Sequence, residues 1–322
     1  MKQITIGKPY IKECGEFTRL EAVIQGPDFE KVHYFEVQKE YGKYLCYERS
    51  DAFVVSLFYF ALVNGYNMKC TVPISEQLYY QLTRVLMPAM VKYHSELFQS
   101  FEIFAELDNL PIKNEKGVGA AVSGGVDSFY TIVSNLETEA KNHNVTHLLI
   151  ANSYNIFRGD NDTRKRFSET VKHSKVIADD LGLPLITMYS NHSEFWFKYY
   201  QNIFCLKYAS YPYALQKLFS VYYFSSGYEY SEFSVTTKDR DSSHYDASAP
   251  QTCNENFSFV LFGGEASRNE KIIKIADHPV VQRRLQVCNL QQENCSVCEK
   301  CMRTQFSLYA NKKLELFKDS FD

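Results

Sequence analysis

The chain has 322 residues, 45% of them hydrophobic and 23% charged, with a formal net charge of −3 at neutral pH. This is the make-up of a folded globular protein long enough for two ordinary domains, and it excludes a disordered chain. With an acidic balance there is no global electrostatic pull toward nucleic acid or an anionic membrane, so neither is expected as a partner, though a local basic face stays open.

The opening stretch MKQITIGKPYIKECGEF has no apolar signal core, so export is not expected. Next come two strand-like segments, TRLEAVIQG and KVHYFEVQ, separated by a turn at Gly26, Pro27 and Asp28. RSDAFVVSLFYFALVNG begins with Ser-Asp and closes with Asn-Gly, the pattern of a capped helix. Its apolar run is too short for the ~20 residues that cross a bilayer, and it reads as a buried helix. SEQLYYQLTRVLMPAMVKYHSELFQSF then predicts one or two helices broken near Pro88. The polar, Pro- and Gly-bearing LDNLPIKNEKGVG reads as a linker. It puts an N-terminal α+β domain at 1–112, a second domain at 113–285 and a cysteine-bearing segment at 286–322.

Beyond the linker the pattern alternates. VGAAVS predicts a strand, DSFYTIVSNLETEAKN a helix and THLLIAN a strand; a helix ending at Gly182 follows, then the strand LPLITMYS. A long aromatic helical region covers 194–219, VYYFSSG supplies a fourth strand, and FSFVLFGG a fifth after a polar loop. Strands and helices alternating at these lengths predict an α/β fold, with a parallel sheet of about five strands and helices on both faces. The aromatic share of 15%, from 24 Tyr and 24 Phe, fits a bulky core better than a base-stacking platform.

Between the first of these strands and its helix lies Ser123-Gly124-Gly125-Val126-Asp127-Ser128. Adjacent glycines let the backbone approach an anion, and amides at a helix N-terminus carry the partial positive charge that suits phosphate. Ser123 and Ser128 add hydroxyls. Asp127 would be repelled by bare phosphate, so its natural task is to hold Mg²⁺ bridging the phosphates. The plainer alternative is a capped helix start. The stretch has neither the Gly-x-Gly-x-x-Gly nor the Gly-Lys-Ser/Thr fingerprint. It resembles instead the Ser-Gly-Gly-x-Asp-Ser turn of the PP-loop ATP pyrophosphatases. That resemblance implies a Rossmann-like domain that cleaves ATP between the α and β phosphates and adenylates a carboxyl or carbonyl oxygen. It also implies that the turn holds pyrophosphate and that backbone at the end of the second strand, around Ala151 and Asn152, reads adenine. Asn152 as a core residue or strand terminator is the competing reading.

Four of nine cysteines, Cys288, Cys295, Cys298 and Cys301, fall within fourteen residues of the polar stretch VCNLQQENCSVCEKCMRT. In a reducing compartment such clustering points to metal rather than disulfides, and a cytoplasmic location is expected. Four thiolates can close a tetrahedron around Zn²⁺ and leave no open position, which favours structure over catalysis; an iron–sulfur cluster is the alternative. A PP-loop turn followed by this cysteine spacing resembles the 7-cyano-7-deazaguanine synthase branch of the family, which makes an amide and then a nitrile from a deazapurine carboxylate. Two departures mark a divergent relative with a different or enlarged substrate. The stretch SSGYEYSEFSVTTKDRDSSHYDASAPQ lacks that synthase's Gly-Tyr-Pro-Asp-Cys, and the first 110 or so residues have no counterpart there. Such relatives occur in bacterial defence operons among other settings, so the acceptor is expected to be a deazaguanine or protein-linked carboxylate. Ammonia or an amine would be the nitrogen donor, and an operon-encoded protein a partner.

Near the end of the fifth strand, Arg268 and Lys271 are spaced to share a helix face, where they would neutralise an α-phosphate or carboxylate. Ser226 and Gly227 end the fourth strand as candidate nucleotide or substrate contacts, and the charged loop TKDRDSSH at 237–244 would lie over the same edge. The expected activity is an ATP-dependent C–N ligase working with ATP, Mg²⁺ and Zn²⁺, as a homodimer. Two alternatives stand beside it, a tRNA sulfur-transfer enzyme and a non-catalytic nucleotide-binding scaffold.

Overall fold

The computed structural model describes residues 2–93, 95–152, 163–196, 204–233, 252–288, 290–291 and 293–321. The loop expected at 237–244 lies outside them. The first third contains β1 (Lys2–Ile6), β2 (Tyr10–Cys14), β3 (Phe17–Gln25), β4 (Glu30–Gln38), α1 (Asp51–Asn64), β5 (Tyr66–Cys70), β6 (Ile74–Ser75), α2 (Glu76–Tyr80), α3 (Met87–Tyr93), β7 (Ile103–Phe104) and β8 (Leu107–Asp108). The expected hairpin is β3–β4, closed by a turn in which the Gly26 amide donates to the Phe29 carbonyl. Helix α1 starts after Ser50 and stops at Gly65, whose φ of 64° is the left-handed conformation that glycine adopts freely. It is buried on almost every face, which explains its unbroken apolar composition.

The helical run 76–93 does not break at Pro88. A π-helical stretch, Gln81–Leu86, joins α2 to α3. The wider turn accommodates the clash that a proline ring makes with the carbonyl four residues back.

The rest comprises β9 (Gly117–Ala121), α4 (Val126–Ser134), β10 (His147–Ala151), α5 (Thr163–Leu181), β11 (Leu185–Ser190), α6 (Ser193–Trp196), α7 (Phe204–Ala214), β12 (Phe219–Ser225), β13 (Ser258–Phe262), α8 (Arg268–Ile275), α9 (Pro279–Arg284) and α10 (Glu299–Ala310). Helix α4 is shorter than the sequence pattern suggests. The Asn135 side chain turns back to the Thr131 carbonyl, and the Asn135 carbonyl is taken by the Val145 amide, so the chain leaves the helix there.

Strands β13-β12-β9-β10-β11 form an all-parallel run. Counted along the chain from β9, their order in space is 3-2-1-4-5. Helices α4, α5, α8, α9 and α10 cover one face, burying Val126, Phe129, Ile177, Ile272 and Val281 against Val118, Ala120 and Leu148. Helices α7 and α1 cover the other, where a single apolar core extends from Ile4 through Leu57, Met188 and Tyr213 to Leu261.

That second core is continuous because the sheet is. β11 pairs antiparallel with β4, with Met188 opposite Val37, and the ladder continues through β3, β1, β5 and β7 to make eleven strands, β2 pairing with β3 to the side. The segment read as a linker is also tied down. The Asp108 carboxylate meets the buried Arg49 guanidinium at 2.9 Å, and the Ile112 amide donates to Asn256 Oδ1 at 2.9 Å.

Candidate nucleotide and metal sites

In a parallel sheet ordered 3-2-1-4-5, neighbouring connections leave the central strands in opposite directions. This opens a crevice at the carboxyl ends of the first and fourth strands. Those strands are β9 and β12, and the segments that follow them are the glycine turn and Ser225-Ser226-Gly227.

The turn is rigidly built. Gly124 has φ of 77°, and a Cβ there would lie 2.6 Å from His173 Nε2, so only glycine fits. Gly125 is the N-cap of α4 and is open around its Cα, a Cβ meeting nothing closer than Ser123 Oγ at 3.5 Å. The Ser128 hydroxyl accepts the Ser123 amide at 3.1 Å and donates to the Ala121 carbonyl at 3.0 Å. Its part is therefore to close the turn onto the end of β9.

Asp127, in the first turn of α4, faces α8. Its Oδ1 lies 3.1 Å from Lys271 Nζ and its Oδ2 3.6 Å from Arg268 Nη1. Lys271 is buried and also donates to the Ser226 carbonyl at 2.8 Å, which joins the ends of three strands through one ammonium. Arg268 is held below its ordinary pKa chiefly by burial and also by Arg303, while Asp127 acts in the opposite direction. Helix α8 starts where it does because Ser267 and Glu270 form a reciprocal capping box. The Ser-Arg-Asn-Glu spacing was the sequence signal for that start. Arg268 and Lys271 then share a face and reach the same carboxylate. At the edge of the crevice, Tyr130 donates to Glu265 Oε1 at 2.9 Å; burial and then that carboxylate push its phenol up to about 12.

Of the other expected residues, Ser226 touches this cluster through its backbone carbonyl, and the rest sit apart from it. Ser226 is buried and its hydroxyl donates to the Tyr228 carbonyl, while Gly227 is exposed. Ala151 is in the core. Asn152 bridges β10 and β11, giving a hydrogen bond to the Ser190 carbonyl and accepting one from the Ser190 amide, and Tyr211 donates to both its oxygens. Its side chain is thus spent on holding two strand ends together.

Cys288, Cys295, Cys298 and Cys301 converge until their sulfurs all lie within 4.8 Å of one another. Tetrahedral Zn–S bonds of about 2.3 Å place sulfurs a little under 4 Å apart, so small adjustments seat a zinc ion. Amides of Leu290 and Cys298 donate to the sulfurs of Cys288 and Cys295, whereas burial and then the Cys298 thiol push Cys301, in the first turn of α10, up to about 12. Burial would raise the Cys288 thiol, but amide donors from Cys295, Leu290 and Gln291 bring it down to about 6. A closed four-thiolate set leaves no position for a substrate.

Asn294, one polar residue among several beside Cys295 in the sequence, organises this loop. Its Oδ1 accepts the amides of Val287 and Cys288 at 2.8 and 3.2 Å, and its Nδ2 donates to the carbonyls of Leu285 and Ser320 at 2.7 and 2.9 Å. Among the described residues no helix is long and apolar enough to cross a membrane. No protein-family model, curated protein or solved structure matches the chain.

Proposed function

We propose that the chain is an ATP-dependent C–N ligase of the PP-loop pyrophosphatase kind, releasing AMP and pyrophosphate. The observation that carries this reading is the meeting of the left-handed Gly124 turn with Asp127, Lys271 and Arg268 at the crevice of the parallel sheet. Amides at the start of α4 would receive the phosphates, and two cations within reach of one carboxylate leave a local positive excess for an anion.

The acceptor's carboxylate or carbonyl oxygen attacks the α-phosphorus of ATP, the bond to the bridging β-phosphoryl oxygen breaks, and pyrophosphate leaves. Arg268 and Lys271 offset the charge that gathers on the phosphates. Ammonia or an amine then adds to the adenylated carbon and AMP departs. Asp127 fits a Mg²⁺ site because only Oδ1 is firmly held, the contact of Oδ2 being loose at 3.6 Å. The ion, when bound with the phosphates, supplies further charge neutralisation. The four cysteines fit Zn²⁺ as a structural ion. Sulfur transfer draws no support from Cys46 and Cys70, buried thiols that desolvation pushes up to about 12.

The test is exchange of labelled pyrophosphate into ATP in the presence of a panel of carboxylate acceptors, beside metal analysis of protein purified without oxygen. Exchange, AMP formation and one zinc per chain are expected. Release of ADP and phosphate instead, or iron with labile sulfide, would overturn the reading.

A further inference from the structure

We infer that the cysteine loop is the clamp that sets the glycine turn, and that Asn294 is the positioning residue through which it acts. This rests on the nucleotide reading above for its functional consequence, though not for its structural one. The chain leaving α9 runs directly beneath the turn, and the Gln286 amide donates to the Gly124 carbonyl at 2.8 Å. Gly124 is the one residue of the turn in a left-handed conformation, so this bond holds the turn at its most constrained point.

Gln286 has no freedom of its own, because Asn294 brackets it. The same side-chain amide takes the Leu285 carbonyl on one side of Gln286 and the Val287 amide on the other. Asn294 is adjacent to Cys295 and also holds the Cys288 amide, so a metal drawing the four sulfurs together fixes the carboxamide that fixes residues 285–288. His173, which lines the same pocket as Leu285, Gln286 and Asn294, fills the space a Cβ on Gly124 would need, so the turn is packed against this segment as well as bonded to it.

A second connection reaches the cations. Helix α10 grows out of Cys298, and Ser307 on it and Asn311 just past its end both donate to Asn269 Oδ1, at 2.5 and 3.1 Å, one residue from Arg268 in α8. The cysteine loop therefore supports both walls of the crevice, the amides from one side and the guanidinium from the other.

The test compares three proteins by amide hydrogen exchange in peptides covering residues 117–128: the zinc-loaded chain, the same chain after chelation, and a zinc-loaded Asn294→Ala variant. Exchange faster by about tenfold or more is expected at the turn in the second and third, with β10 and β11 unchanged. The variant, still holding one zinc, should bind an ATP analogue about tenfold more weakly. Should Asn294→Ala lose its zinc, Ser307→Ala with Asn311→Ala loosens the α10–α8 link alone, and faster exchange at the N-terminus of α8 is expected. Unaltered protection of the turn after chelation would overturn the inference. A wild-type chain that binds no ATP but loosens as described would overturn the functional reading and leave the clamp standing.

Discussion

Lys271 is 2% exposed, and among the described residues its ammonium donates to the Asp127 carboxylate and the Ser226 carbonyl. Replacing Asp127 by Asn leaves a buried charge without its counter-charge, expected to destabilise the fold by about 3 kcal/mol and to lower turnover by about two to three orders of magnitude. Adding Lys271→Met should restore most of the melting temperature and none of the activity; a double variant that regains activity would contradict the assignment. Elsewhere two buried groups work against each other with pH. Burial lowers the imidazole of His33 to about 4, the Asn191 hydrogen bond acting weakly the other way. Its contribution is complete above the unfolded value near 6.5 and is lost as pH falls from there to about 4. Burial raises Asp51 to about 6 despite donors from Ser75, Asn254 and Gln216, so its contribution is complete below about 3.8 and is lost as pH rises through 6. Between roughly pH 6 and 4 the two oppose each other. Urea midpoints at pH 7 and about pH 4.5 should differ less in His33→Gln than in wild type, and more in Asp51→Asn.

At the scale of elements the glycine turn separates two kinds of glycine. Gly124→Ala places a Cβ in a left-handed conformation and against His173, and should lower stability by about 1–2 kcal/mol. Gly125→Ala meets no such obstacle, so its melting temperature should hold while affinity for an ATP analogue falls by about tenfold, because phosphate must come close to that backbone. Equal loss of stability in both would argue for a turn that only caps a helix. Sequence reasoning could see this turn because its chemistry is local: six consecutive residues between an apolar strand and an amphipathic helix. It could see α1 for the same reason, from Ser50 at one end and Gly65 at the other. It could bring Arg268 to Lys271, three residues apart on one helix, but not either of them to Asp127 across two strands. Asn294 stayed hidden because an asparagine among polar neighbours has no signature until the carbonyls it holds are known. Pro88 misled because the widened π-helical turn before it, which makes room for the ring, leaves no mark in composition.

For the whole molecule the governing feature is the single sheet of eleven strands. Residues 113–322 expressed alone would present β11 as an open edge and lose the partners of Ile186 and Met188, so that fragment is expected to aggregate, as judged by light scattering, where the full chain does not. The sequence reading recognised strands on both sides of residue 112 but could not know that β4 and β11 pair, since nothing in either strand names its neighbour. That pairing also imposes an order in time. During synthesis β1, β3, β4 and β5 emerge with α1 and can close a small core, yet the free side of β4 must wait for Leu185–Ser190 to be translated. At about 5–20 residues per second the wait is on the order of ten seconds. Through that interval β4, already paired with β3 on one side, keeps an open edge at Phe35–Val37, the residues that later meet β11. An open edge of that kind is where premature pairing with another strand would begin, so the order of synthesis makes β4 the point of greatest exposure before the sheet is complete.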